Sequence, residues 1–290
     1  MQEIELSAGI IEYEDTGGSG PIVVLVHGVA MDGTLWRHVV SDLRADHRCV
    51  VPTVPFGGHR RPMREDADLT LRGLARLLAE FLEKLDLRDV TLVGVDGGFF
   101  QITAGEYPER IARLVIASCE AFENFPPGLP GHTLAFAARF PGGLYALAQP
   151  LRLRALRRLP FAWGRMSKRP VPNDIMDAWM RPLITQRAIR RDLLKYLHSY
   201  HKDDFLKAAE RLRSFDRPTL VVWATEDRVM PPEHGRRFAA LLPHASLVEI
   251  ADSYTLIPED QPAQLAAHIR AFIASESITT AEARPAVPRS

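Results

Sequence analysis

The stretch Asp89-Val90-Thr91-Leu92-Val93-Gly94-Val95-Asp96-Gly97-Gly98-Phe99 limits the possible folds more than any other part of this chain. Its apolar, β-branched start reads as a strand buried on both faces, and an amphipathic stretch running to Pro108 follows the glycines. A strand that enters a helix through so tight a turn leaves no room for a Cβ beside the turn residue, which is why glycines flank it. Asp96 sits at the middle of Gly94-Val95-Asp96-Gly97-Gly98, where a side chain is held at the carboxyl edge of a sheet. The same residues also suit a plain helix N-cap followed by an Asp-Gly turn.

Other strand and helix patterns surround this unit. Ile4–Leu6 and Ile10–Glu14 read as a hairpin, Ile22–Val26 as a wholly apolar central strand, and Cys49–Val54 as another strand. Trp36–Leu43 reads as a helix, and Leu71, Leu74, Ala75, Leu78, Phe81 and Leu82 give Thr70–Leu85 the clearest helical period in the chain. A strand ending at Ala117-Ser118-Cys119-Glu120 closes this alternation, which implies βαβ units and a parallel sheet. About ninety residues of helical pattern broken by prolines follow. The sheet pattern resumes at Arg217-Pro218-Thr219-Leu220-Val221-Val222-Trp223-Ala224-Thr225-Glu226-Asp227, then a helix at Glu233–Leu242, a strand at Ser246–Ile250 and a closing helix at Pro262–Ser275.

These residues resemble the α/β-hydrolase superfamily over roughly residues 3 to 275, and most closely its branch with an Asp nucleophile, the haloalkane dehalogenases and epoxide hydrolases. The resemblance implies an α/β fold whose mostly parallel central sheet is flanked by helices, with an inserted helical cap. The core then comprises residues 1–120 and 213–275, the cap 121–212, and 276–290 form a disordered tail. It also implies that Asp96 is the nucleophile, that His27-Gly28-Val29 and Gly97 shape the oxyanion site with backbone donors at Val29 and Gly97, and that Asp227 or Glu120 is the supporting acid. Trp36, His59 and Tyr254 are further candidates for contacting substrate, with His27 and His59 also readable as loop histidines tied to backbone. Tyr145, Trp163, Trp179, Tyr196 and Tyr200 are candidates for the pocket wall or for the core of the cap.

Three departures from the family pattern bear on the chemistry. Gly97 follows Asp96 where the dehalogenases and epoxide hydrolases carry Trp, and Val29 stands where dehalogenases hold halide with Asn. Aligned on Gln261-Pro262, the general-base histidine falls on Thr255, whose hydroxyl does not exchange a proton near neutral pH. An Asp carboxylate attacks carbon without a base, whereas hydrolysis of the resulting ester needs one. The expected activity is therefore hydrolysis of an ester, epoxide or carbon–halogen bond with an impaired second step. The alternatives are a non-hydrolytic acid/base catalyst such as a cyclase, lyase or isomerase, or a binding protein that has lost turnover.

The remaining features set bounds. With 36 basic and 36 acidic residues the chain gives no reason to expect nucleic acid as a partner. Arg152, Arg154, Arg157, Arg158, Arg165, Lys168 and Arg169 form a basic run without acidic residues, suited to a solvated helix face or to an anionic substrate or surface. The two cysteines, Cys49 and Cys119, form no disulfide framework, no basic leader opens the chain, and no apolar run reaches membrane-spanning length. A cytoplasmic protein acting on a small molecule, with no cofactor and no metal, is the expectation; oligomeric state is not written in these residues.

Overall fold

The computed structural model describes residues 1–199, 201 and 203–282. In chain order the elements are β1 (Gln2–Leu6), β2 (Gly9–Asp15), β3 (Ile22–Val26), α1 (Arg37–Leu43), β4 (Arg48–Pro52), α2 (Leu71–Lys84), β5 (Val90–Asp96), α3 (Phe99–Glu106) and β6 (Ile111–Cys119). Then come α4 (Gly128–Ala138), α5 (Gly143–Ala148), α6 (Asn173–Thr185), α7 (Arg187–Ser199), α8 (Asp204–Leu212), β7 (Thr219–Ala224), α9 (Pro232–Leu241), β8 (Ala245–Ile250), α10 (Ile257–Asp260) and α11 (Pro262–Glu282).

The strands form one eight-stranded sheet in the order β1-β2-β4-β3-β5-β6-β7-β8. β1, β2 and β4 pair antiparallel and every pair from β4 to β8 is parallel. β5 lies in the interior of the sheet, between β3 and β6, and all its residues are buried, as a strand covered on both faces requires. Its pairing with β6 shifts register between Gly94 and Asp96, where the chain leaves the ladder for the turn.

Helix α2 shows why local sequence suffices for some elements. Thr70 caps it by accepting the Gly73 N–H at 3.0 Å, and its apolar stripe, including Leu74, Leu78 and Phe81, is buried. Each such side chain contributes about 1.5–3 kcal/mol, so Phe81→Ala would cost about 3–5 kcal/mol once the cavity is counted.

The helices α4 to α8 are inserted between β6 and β7, with α4 packed on α5 and α7, and α5 on α6. Helix α8 packs against α3 rather than against the other inserted helices, so the last part of the expected 121–212 cap lies on the sheet-flanking layer. Its buried face, Phe205, Ala208, Ala209 and Leu212, makes that contact possible. The closing helix is longer than the expected Pro262–Ser275, because α11 continues to Glu282; residues 283–290 lie outside the described residues. The expected Trp36–Leu43 helix begins instead at Arg37, after a 3-10 turn Gly33–Trp36 capped by Asp32, which accepts the Thr34 N–H at 2.9 Å. Both cysteines are free and buried.

Candidate active site

Asp96 ends β5 with φ +61°, a left-handed conformation that is costly for a residue with a Cβ. The turn tolerates it because its neighbours are glycines packed to contact. A Cβ on Gly28 would lie 2.0 Å from Asp96 Oδ2, and one on Gly98 would lie 2.3 Å from the Phe205 ring and 2.7 Å from the Glu120 carbonyl. The result is a carboxyl group only 5% exposed, with Oδ2 accepting the Val29 N–H at 2.9 Å. Val29 thus holds one oxygen of the Asp96 carboxyl through its backbone N–H. Oδ1 has no hydrogen-bond partner among the described residues, and no bond from the Gly97 N–H is recorded there either.

Two more carboxyl groups converge on the same sheet edge. Glu120, just beyond β6, donates its N–H to the Asp96 carbonyl at 2.8 Å, which ties the two strand ends together. Its Oε2 accepts the Gly98 N–H and the Tyr196 hydroxyl, each at 3.1 Å. Asp227, in the turn after β7, accepts at Oδ1 the N–H groups of Val229 (2.9 Å) and Met230 (2.8 Å) and the Thr255 hydroxyl (2.8 Å). Among the described residues its Oδ2 is enclosed without a hydrogen-bond partner. Thr255 thus supplies Asp227 with a neutral hydroxyl.

Electrostatics follow from this arrangement. Burial pushes Asp96 up to about 7; the Val29 N–H opposes the shift and the Asp227 charge reinforces it. Burial raises Asp227 to about 6 against the pull of the Met230 and Val229 N–H groups and the Thr255 hydroxyl. Glu120 is held well above the usual carboxylate range, by burial first and the Asp96 charge second, despite its two donors. Three carboxyls this close and this enclosed do not all ionise as free carboxylates do, and each is held toward its neutral form.

The histidines the sequence offers as candidates lie away from the cavity. His27 is fully buried, bonded to the Gly28 carbonyl at 2.8 Å and to the Val54 N–H at 3.0 Å, and burial lowers it to about 4. His59 does not face substrate as expected: its Nδ1 accepts the Gly57 N–H at 3.3 Å, which leaves Nε2 to donate to buried Asp192 at 3.2 Å. His198 bonds the Ala138 carbonyl, His234 packs edge-on against Phe122, and exposed His201 donates its backbone N–H to Asp204. Among the described residues none of these lines the cavity over Asp96.

That cavity measures about 120 Å³, close to the ~150 Å³ of an apolar cavity that stays dry and takes up benzene. Asp96, Glu120 and Tyr196 are the polar side chains in a wall otherwise built from residues such as Met31, Phe125, Leu134, Trp163, Met166 and Val229. Two expected substrate contacts, Trp36 and Tyr254, and one candidate wall residue, Trp179, fall outside it. Trp36 is fully buried at the start of α1, and Tyr254 is nearly buried, with Lys168 and Arg228 stacked on its ring. Trp179 is consumed in bonds to Asp32 and Thr34 that pin α6 to the loop after β3. Tyr145 is exposed beneath Arg190 and Tyr200 lies outside the described residues, while Trp163 and Tyr196 do line the cavity. The bond from Tyr196 to Glu120 joins residues 76 positions apart, and no local pattern announces it.

The described residues contain no cluster of three or more His, Cys, Asp or Glu side chains arranged to hold a metal ion. None of their helices is long and apolar enough to cross a membrane.

Comparison with known proteins agrees with this geometry. A family model described as the alpha/beta hydrolase fold matches residues 21–262. The chain is 28% identical over 285 residues to a cis-3-alkyl-4-alkyloxetan-2-one decarboxylase of Shewanella oneidensis, covering 93% of this chain and 87% of that protein. It is 26% identical over 274 residues to a haloalkane dehalogenase of Mesorhizobium japonicum, covering 89% and 86%. A crystal structure of wild-type DBJA superposes with a TM-score of 0.77 at 18% identity, covering 98% of this chain and 100% of that one, and so shares the fold. The match over most of the sequence and the enzymes among its relatives lead to one conclusion: this chain belongs to the alpha/beta hydrolase fold family and is an enzyme of it.

Proposed function

We propose that the chain opens a strained or activated carbon–oxygen bond in a small, largely hydrocarbon substrate at Asp96, and turns over without activating water. The observation that supports this reading is that no histidine lines the cavity among the described residues, and that the Thr255 hydroxyl is the side-chain donor to Asp227 Oδ1. A general base contributes about 10²- to 10⁴-fold to a hydrolytic step, and a threonine hydroxyl cannot supply it.

A four-membered lactone, the ring named in the decarboxylase relative, suits such a site. The Asp96 carboxylate attacks the ring carbon that bears oxygen; the new carbon–oxygen bond forms as the ring carbon–oxygen bond breaks, releasing the substrate's carboxylate. That carboxylate then leaves as CO₂. Its bonding pair becomes the new carbon–carbon double bond and expels the Asp96 carboxylate, so the sum is lactone to alkene plus CO₂, with no water or proton consumed. Glu120, whose burial favours its protonated form and whose Oε2 accepts from Tyr196 and Gly98, would donate from Oε1 to the departing carboxylate in this reading.

The test is incubation with a cis-3,4-dialkyl oxetan-2-one in ¹⁸O water, followed by mass spectrometry of products. Alkene and CO₂ without labelled hydroxy acid are expected, and Asp96→Asn should lower the rate on the order of 10⁴-fold. An Asp96→Asn protein with undiminished turnover would sink the reading. A second reading, hydrolysis of an ester, epoxide or carbon–halogen bond through the same Asp96, is favoured by the Val29 bond that leaves Oδ1 free; it predicts ¹⁸O incorporated into the Asp96 peptide.

A further inference from the structure

The inserted helices carry a surface that the chemistry at Asp96 does not use. Among the described residues, Leu129, Phe136, Phe140, Tyr145, Leu153 and Phe161 are all exposed and fall within one segment, whereas Met1, Ile10 and Leu206, the other exposed large hydrophobics, are scattered. They are neighbours in space as well. Helix α4 packs on α5, α5 packs on the turn that begins at Pro150, and the Phe136 and Phe140 rings lie 5.1 Å apart. Helix α4 itself has no Asp, Glu, Lys or Arg, and Ala138 is its one fully buried side chain. An uncharged helix that leaves aromatic and aliphatic side chains in water, with only His132 and Thr133 as polar side chains, is ordinarily covered by something.

Charge distinguishes this patch from an ordinary core remnant. Between Glu123 and Asp174 the sequence contains no acidic residue, although the chain as a whole is balanced. Some of the cations there are paired: Arg154 and Arg157 with Asp177, Lys168 with Glu226 and Asp252, and Arg169 with Asp252. Arg139, Arg152 and Arg158 are exposed, Arg165 is half-buried, and none of the four has an ion pair among the described residues. Exposed aromatic and aliphatic side chains set among unpaired arginines are the composition that partitions into the headgroup region of an anionic bilayer. A second copy of this chain fits poorly, because a two-fold interface would bring these arginines against one another.

The patch is also continuous with the cavity. Phe161 is both exposed and part of the cavity wall, and Leu134 and Ala135 line the cavity from the same helix that places Phe136 at the surface. We infer that the face built by α4, α5 and the arginine-bearing turns after them docks on a bilayer surface with anionic headgroups, and that apolar substrate reaches the cavity from the lipid. This docking does not depend on which reaction Asp96 performs.

The experiment is co-sedimentation of the intact protein with vesicles of phosphatidylcholine alone and of phosphatidylcholine mixed with phosphatidylglycerol. Binding to the mixed vesicles is expected, weakening as salt is added. Arg152→Glu should reduce the partition at least about fivefold, the value of one cation near an anionic surface, whereas Arg88→Glu, outside the patch, should leave it unchanged. Phe136→Glu combined with Phe140→Glu should abolish binding while the thermal melt by circular dichroism stays that of the parent, since both side chains are exposed. Equal binding to both vesicle types, no binding to either, or loss with Arg88→Glu as with Arg152→Glu would overturn the inference. So would a parent dimer that becomes monomeric on Phe136→Glu, because the occupant would then be a second copy.

Discussion

Asp192 on α7 and Asp227 after β7 are both enclosed carboxylates, yet they are driven in opposite directions. Burial pushes Asp192 up, but the His59 ring, the Met63 N–H and the Arg191 guanidinium outweigh it and leave the group below its ordinary value. Burial pushes Asp227 up in the same way, and there two backbone N–H groups and the Thr255 hydroxyl offset only part of the shift, leaving it at about 6. The difference is the Arg191 guanidinium, a charged donor that Asp227 lacks. A charged donor offsets the desolvation of a carboxylate, and neutral donors do so incompletely. In this molecule an imidazole supports a carboxylate that pins the loop after β4 to α7, while the carboxylate beside the cavity has none.

The largest expected effect breaks the first half of this comparison. Asp192→Ala leaves His59 and Arg191 without their buried acceptor and should cost about 3–5 kcal/mol in denaturant unfolding. The pH midpoint of turnover should not move, because that midpoint belongs to Asp96. A midpoint that shifted with Asp192→Ala would place the His59–Asp192 pair inside the catalytic machinery after all.

Thr255→His acts on the second half. An imidazole beside Asp227 should draw that carboxyl down and divert an Asp96 ester to water, so labelled hydroxy acid should rise about 10- to 100-fold over the parent protein. Thr255 is fully enclosed, so the larger ring would also cost about 1–3 kcal/mol of stability. Unchanged products from a folded variant would count against any covalent intermediate on Asp96.

The smallest effect concerns stability and pH. A carboxyl whose folded value is raised keeps its proton in the native state after the unfolded chain has lost it. Between about pH 4, the ordinary carboxylate value, and the folded values of about 7 for Asp96 and about 6 for Asp227, the contribution of these two carboxyls to stability therefore falls as pH rises, and it levels off above. Asp96→Asn removes the larger share of this penalty and should stabilise the protein above pH 7 by about 1–2 kcal/mol, with no gain at pH 4. Turnover in the parent should rise with pH through about 7, since attack requires the ionised form of Asp96.

Much of the core is legible from short-range pattern alone. The hairpin, the apolar central strands and the capped helix α2 stand close to their expected positions because each is specified by alternation, periodicity or a cap within a few residues. The boundaries that differ, at α1 and α11, are helix ends, where neighbouring packing rather than local preference decides. Trp36, Trp179 and Tyr254 show the same limit for function. Each is an aromatic near the site in sequence terms, and each is spent on core packing, on hydrogen bonds that pin α6 or beneath stacked cations.

What the sequence by itself determined is the strand, turn and helix that hold Asp96 at the sheet edge, and the threonine at position 255. Both are matters of residue type at fixed spacing, and backbone sterics make such spacing a strong constraint. Only the tertiary structure decided that Tyr196 meets Glu120, that His59 turns to Asp192, and that Asp96 and Glu120 share one apolar cavity with Asp227 enclosed nearby. Those encounters join segments far apart in the chain, and their energies depend on how much water the assembled fold excludes, a quantity no single segment carries.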